Sequence, residues 1–370
     1  MELTRRRLLA VGVGTAGVGA LAGCLDGSAS DGTGSGDGTA SGSTTATSSF
    51  FVFSSIAGAV AGDATATDLL VPVGQHGHGW EPGPRVREEI YDADLLVHGP
   101  ETFQPWIDDV LADLDGDGAE VTTVDVAHDV DLLPADGNHG HEGEHTGEHQ
   151  GTDHHDDGHE ETDHHDENRG TDHHDDEGHG ETEPNHDEGH NHGSTDPHFW
   201  MDPARVATAV ETVEAGFADV DPDNADAYAE NAETFREELT DLDARIEGVV
   251  DDAATDTLLV AGHDSFGYLA DHYGVHVEAL TGISPDDRPT TRDIQHAQEV
   301  IDEHGLRYVC ADPLESQQAA EQLVAETDAE AVLPLTAMPG RTDEWDEEGW
   351  GYVDVMTEVN VPTLSRALDA

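Results

Sequence analysis

The sequence contains no lysine, and only 14 of its 370 residues are basic, all of them arginine. Against these stand 82 Asp and Glu, for a formal net charge of −68. Such a charge excludes nucleic acid as a partner, because phosphate backbones are bound through cationic side chains. Removing residues 138–192 still leaves 63 acids and 13 Arg, so the acidity belongs to the folded surface as well.

This imbalance predicts a protein that folds in high salt, as the proteins of halophiles do. Self-repulsion among the acids opposes compaction, and at molar salt the Debye length falls to roughly 3 Å and screens it. The competing interpretation is an acidic cation buffer, which would have no reason to exclude lysine.

Cysteine is almost absent as well, with Cys24 and Cys310 as the two instances. Residues 1–24 contain Thr4-Arg5-Arg6-Arg7-Leu8-Leu9, similar to a twin-arginine export signal, and a Gly-rich apolar run too short to span a membrane. The run ends in Leu-Ala-Gly-Cys24, similar to a lipobox, so Cys24 is predicted to carry lipid and to become the mature amino terminus. An intrachain disulfide is then excluded. The alternative is an uncleaved signal anchor.

Two segments have the composition of unfolded chain. Residues 25–48 are almost wholly Gly, Ser, Thr, Ala and Asp, and are predicted to form a flexible tether. Residues 138–192 contain no hydrophobic residue, 15 His and 19 acids, with TDHHD three times. This insertion is interpreted as a weak multivalent metal trap. The alternative is a solvated acidic linker in which His is incidental.

The rest of the chain predicts an α/β protein with two doubly wound lobes. Strand-like and helix-like segments alternate over residues 49–222 and again over 253–370, which indicates two parallel sheets covered by helices. Between them, residues 223–252 have the apolar spacing of one long helix of roughly 40 Å, enough to link two lobes. A strand is predicted at Phe50–Phe53 and a helix after it.

Three histidines outside the insertion follow predicted strands or lie on loops. His78 lies in GHGWEP, His198 in DPHFWMDP, and His263 in GHDSFGYL. Ligands of open α/β sheets bind where the carboxyl ends of strands meet. The pattern therefore predicts that the three imidazoles meet in the cleft between the lobes.

These motifs resemble those of the cluster A-I substrate-binding proteins, the zinc and manganese receptors of ABC importers. PVGQHGHGWEP, DPHFWMDP and GHDSFGYLADHYGV are similar to the family's first three metal-ligand motifs, and the likeness covers roughly 50–370 apart from the insertion. The resemblance implies two lobes joined by a single helix, with metal between the lobes, bound by His78, His198 and His263.

The fourth ligand is where the chain departs from the family. A family acid corresponds to Thr336 here, which leaves water, Asp312 or His76 as candidates. Imidazole suits Zn, Cu and Ni, whereas carboxylate-rich sites suit Mn. With His263 at the third position, and an insertion like the His-rich loop of zinc receptors, Zn²⁺ is the expected ligand; Mn²⁺, Ni²⁺ and Cu²⁺ stay open.

The predicted function is therefore a monomeric, lipid-anchored metal receptor on the extracytoplasmic face of the membrane, exported by the twin-arginine route. Its partners would be the permease and ATPase of an ABC importer. The alternatives are a nickel or copper receptor of the same fold, and a metal-storage or adhesion lipoprotein. A zinc hydrolase is disfavoured, because the sequence has no HExxH motif and no nucleophile motif.

Overall fold

The structure is a computed structural model that describes residues 44–135, 195–285 and 287–370. The predicted export signal, Cys24, the tether up to residue 43 and the insertion at 138–192 lie outside the described residues. No helix among those described is both long and apolar enough to cross a membrane.

The first lobe is one parallel sheet with strand order β2-β1-β3-β4. Because the chain runs from β1 to β2 and then crosses β1 to reach β3, the order reverses between β1 and β3. The elements are β1 (Thr45–Ser48), α1 (Phe51–Ala61), β2 (Ala66–Leu69), α2 (Pro84–Asp92), β3 (Leu95–His98), α3 (Pro105–Asp117) and β4 (Thr122–Asp125).

Among the described residues, two helices lie between the first sheet and the second. A 3₁₀ turn at Phe199–Met201 leads into α4 (Pro203–Val220), where the Asp202 side chain caps the helix by accepting from the Ala204 N–H. A second 3₁₀ turn precedes α5 (Ala225–Asp251), whose 27 residues span about 40 Å. This helix packs against α1 and α4 of the first lobe, and against the second-lobe helices at Gly267–Tyr273 and Val361–Ala367.

The second lobe repeats the first, with parallel strand order β6-β5-β7-β8 and a reversal between β5 and β7. A π-helical turn, Met356–Asn360, separates the last two helices. The elements are β5 (Thr257–His263), α6 (Gly267–Tyr273), β6 (His276–Thr281), α7 (Thr291–His304), β7 (Tyr308–Ala311), α8 (Gln318–Glu326), β8 (Ala331–Pro334), α9 (Asp343–Glu348), α10 (Tyr352–Val355) and α11 (Val361–Ala367). The predicted two-lobe α/β fold is thus confirmed.

Two predictions at the start of the first lobe are wrong. Phe50–Phe53 is not a strand, because α1 begins at Phe51. All four side chains of this run are buried, so no polar face marks the helical period. The strand is Thr45–Ser48, which the sequence assigns to the end of the tether.

Both lobes contribute to one apolar core. It includes Phe53 and Trp200 of the first lobe, Leu239 of α5, and Tyr352 of α10. The Tyr352 hydroxyl donates to the Trp200 carbonyl at 2.7 Å. Phe51 of α1 stacks on Trp345 of α9, a helix that the sequence pattern does not predict. The two lobes that carry the candidate ligands are therefore joined by packed side chains.

Candidate metal centre

His78 lies in the loop between β2 and α2, near the carboxyl ends of β1 and β3, between which the strand order of the first sheet reverses. Its ring packs edge-on against Phe50, which follows β1, and Phe103, which follows β3, with centroid distances of 5.4 and 4.7 Å. The Gln104 side chain holds the preceding residue in place by donating to the Gly77 carbonyl at 3.2 Å. His78 is 7% exposed.

His198 is held by the acid two residues before it. Asp196 Oδ1 accepts from the His198 backbone N–H at 2.9 Å and from His198 Nδ1 at 2.8 Å. The Tyr268 hydroxyl, from the second lobe, donates to the Asp196 carbonyl at 2.6 Å. Burial lowers the pKa of His198 against the opposing effect of the Asp196 carboxylate, so the ring is neutral at neutral pH.

His263 is the last residue of β5. It therefore lies at the carboxyl end of an inner strand, where the strand order of the second sheet reverses. Its Nδ1 donates to Glu315 Oε1 at 3.0 Å. A β-bulge between Val260 and His263 shifts the pairing with β6 there. Bulges redirect side chains at the ends of strands and often lie beside functional sites.

The structure brings these three histidines together across the cleft. Within the described ranges, one nitrogen from each of His78, His198 and His263 lies within 4.8 Å of the other two. The rings are 5.4 to 5.8 Å apart between centroids. Nε2 of His198 and of His263 are buried and have no hydrogen-bond partner among the residues that the structure describes. Three neutral imidazole nitrogens in this arrangement can hold a tetrahedral ion with one position open.

Carboxylates contact the Nδ1 atoms of His198 and His263. Asp196 and Glu315 each accept from an Nδ1, which fixes the tautomer and leaves Nε2 for the ion. Burial alone would raise the pKa of Glu315, but hydrogen bonds from His263 and His76 lower it to about 2. Glu315 lies in none of the three histidine motifs, so no role is predicted for it from the sequence. A carboxylate near a ligand histidine would have been the signal, but 52 residues separate Glu315 from His263.

The candidate fourth ligands lie outside this group in the part of the chain described. His76 is about a quarter exposed and its Nε2 is 3.5 Å from Glu315 Oε1. Asp312 is buried, with Oδ1 accepting from the Leu314 N–H at 2.8 Å, and burial raises its pKa to about 6. The Thr336 hydroxyl accepts from the Met338 N–H at 2.8 Å.

Residues 337–341, here called the bridging segment, join the second lobe to both ligand loops of the first. The Trp200 indole donates to the Ala337 carbonyl at 2.8 Å, and the Gly77 N–H donates to the Pro339 carbonyl at 2.6 Å. Met338 has a left-handed backbone with φ 55°, which is rare outside glycine and concentrates at functional sites. The segment thus holds the neighbours of His78 and His198.

A cavity of about 440 Å³ adjoins His78. Trp80, Phe103 and Trp106 of the first lobe line it together with Pro285 of the second, so residues of both lobes line the cavity beside His78. Ligand sites of two-lobe proteins lie in such clefts.

Several known proteins are similar to this chain in sequence. The chain is 26% identical over 319 residues to the high-affinity zinc uptake system protein ZnuA of Bacillus subtilis, covering 86% of each. It is 29% identical over 311 residues to the zinc-binding lipoprotein AdcA of Streptococcus pneumoniae strain R6, covering 84% of this chain and 53% of that one. The chain thus spans about half the length of the AdcA relatives it matches.

Among solved structures, the Zn(II)-bound ZnuA-like domain of Streptococcus pneumoniae AdcA superposes with a TM-score of 0.65 at 23% identity, covering 89% of this chain and all of that one. The metal-dependent lipoprotein YcdH of Bacillus subtilis gives 0.64, also at 23% identity. The family profile described as zinc-uptake complex component A, periplasmic, matches residues 47–367. The resemblance inferred from the histidine motifs is therefore confirmed, and the chain belongs to the ZnuA family.

Proposed function

We propose that this protein captures one divalent transition-metal ion, zinc, between its two lobes and delivers it to an ABC importer. The observation that carries the proposal is the buried group of three imidazole donors, His78 and His198 from the first lobe and His263 from the second. Nitrogen donors favour zinc, copper and nickel over manganese. The names of the relatives, zinc-binding protein and zinc uptake protein, favour zinc among these.

The placement of the ligands suits a receptor. An ion that binds donors of both lobes stabilises the arrangement in which the cleft is closed, and an importer can distinguish that arrangement from an open one. The membership of the chain in a family of uptake components favours a receptor over a hydrolase. The partners would be a permease and an ATPase, and the receptor would act as a monomer.

The proposed location is the extracytoplasmic face of the membrane. Its support is the lipobox-like Leu-Ala-Gly-Cys24 after a twin-arginine-like motif, together with the relative named a zinc-binding lipoprotein. Cys24→Ala is expected to release the protein from membranes or to stall its processing. Membrane retention of a normally processed Cys24→Ala protein would rule out the anchor.

The central test is a competition titration of the full chain against a tight zinc chelator, so that weak sites do not contribute to the result. One equivalent of zinc should be taken from the chelator by the wild type. Replacement of His198 or His263 by Ala should lower this affinity by orders of magnitude, because two imidazoles are one short of the usual three protein ligands of an open zinc site.

Parallel titrations with nickel, copper and manganese distinguish the metals, and zinc uptake by cells carrying the His198→Ala protein tests delivery. Wild-type zinc affinity in both Ala variants would contradict the proposed site. Several equivalents of equally tight zinc would point to storage instead.

A further inference from the structure

Glu315 contacts the candidate metal site, although it lies in none of the three histidine motifs. It lies in the loop after β7, at the carboxyl end of that strand. Because β7 is the neighbour of β5 in the second sheet, this loop lies beside the end of β5. Its Oε1 lies 3.0 Å from Nδ1 of His263 and 3.5 Å from Nε2 of His76. The same geometry recurs in the first lobe, where Asp196 Oδ1 lies 2.8 Å from Nδ1 of His198.

The backbone around Glu315 is built to admit its carboxylate. A Cβ atom on Gly262 would lie 2.8 Å from Glu315 Oε2, closer than side-chain carbons approach, so glycine leaves the space that the carboxylate occupies. The turn after β7 is held by Gln317, whose side-chain amide donates to the Asp312 carbonyl at 2.7 Å and to the Glu315 carbonyl at 3.1 Å. Glu315 is therefore presented to His263 by a fixed turn.

The charge of the candidate site explains why such a carboxylate matters. His78, His198 and His263 would bind as neutral rings, so these three ligands leave the charge of a divalent ion uncompensated. A carboxylate hydrogen-bonded to Nδ1 fixes the ring orientation and makes Nε2 a better donor. The carboxylates of Asp196 and Glu315 are hydrogen-bonded to the ligands His198 and His263. Their two negative charges together balance the charge of a divalent cation.

We propose that Glu315 is a positioning residue for the metal, which acts through His263 and not as a ligand. It holds His263 with the Nδ1 proton directed away from the cleft and Nε2 directed into it, and it supplies negative charge that the three imidazoles lack. The inference rests on the proposed metal-binding function. It also predicts that the coordination sphere contains no carboxylate from this residue, which favours zinc over manganese.

The test compares Glu315→Gln with Glu321→Gln in the full chain. Glu321 is an exposed acid in α8, and its replacement changes the net charge by the same amount. Zinc affinity measured against a chelator should fall about 10- to 100-fold in Glu315→Gln, the usual effect of removing an outer-shell partner. It should be unchanged in Glu321→Gln.

Two further readouts separate positioning from the other roles. With Co²⁺ in place of zinc, the visible absorption bands of Glu315→Gln should keep the wild-type intensity, since the ligands are the same. A loss of binding as large as that of His263→Ala, with altered cobalt bands, would show that Glu315 is itself a ligand and overturn the proposal.

A lower melting temperature of the metal-free protein with unchanged zinc affinity would show a purely structural role and overturn it as well. Failure of the proposed function is distinguishable, because His263→Ala would then also leave zinc affinity unchanged.

Discussion

Replacing Gly340 by Ala is expected to weaken zinc binding although this residue contacts no metal. Gly340 lies in the bridging segment, and a Cβ atom there would overlap the carbonyl oxygen of Gln75 in the His78 loop. The backbones are also paired on either side, where the Gly74 N–H donates to the Arg341 carbonyl at 2.7 Å and the Gly77 N–H to the Pro339 carbonyl at 2.6 Å. The two segments must therefore separate.

The size of the effect follows from that separation. Restoring an ordinary contact requires a shift of about 1 Å, whereas metal–ligand distances tolerate about 0.2 Å. His78 would then bind poorly, so zinc affinity should fall at least tenfold, about 1.4 kcal/mol. The loss of zinc affinity in a His78→Ala variant is the largest loss expected for Gly340→Ala.

The assay is chelator competition together with thermal melts with and without zinc. Gly83→Ala is the matched control, since it lies nearby at the start of α2 and its Cβ would have no neighbour within 4 Å. If Gly340→Ala keeps wild-type affinity, or loses only stability of the metal-free protein, the bridging segment does not position His78.

Other perturbations address the site, the insertion and the surface. At free zinc 1,000 times Kd the wild type should gain about 4.1 kcal/mol in stability, most of which His263→Ala should lose in calorimetry; an equal gain in the variant would exclude a bond to the second lobe. Deleting 138–192 should leave one tight site by competition titration, and loss of that site would show that the insertion supplies a ligand. With chelator present, the denaturation midpoint should rise from dilute buffer to molar salt as acidic repulsion is screened; a constant midpoint would contradict this. Zinc affinity should fall on acidification, because protons compete with zinc for the imidazole nitrogens; a flat pH profile would argue against imidazole ligands.

Local chemistry explains which parts of the structure the sequence predicts. The long helix α5 is predicted because its buried positions recur at helical spacing over 27 residues. The histidines are predicted as a group because each lies in a short motif at a strand end or helix entry. By contrast, the buried run at Phe50 carries no period, and its helix is decided by its position after β1 in the core.

The sequence by itself determined the fold class, the division into two lobes and the three histidines, since all of these depend on residues close together along the chain. Tertiary structure alone decided what surrounds those histidines. The bond from His263 to Glu315 and the close approach of Gly340 to Gln75 join positions 52 and 265 residues apart. No local pattern encodes such contacts, because they exist only once two sheet edges face each other across a cleft.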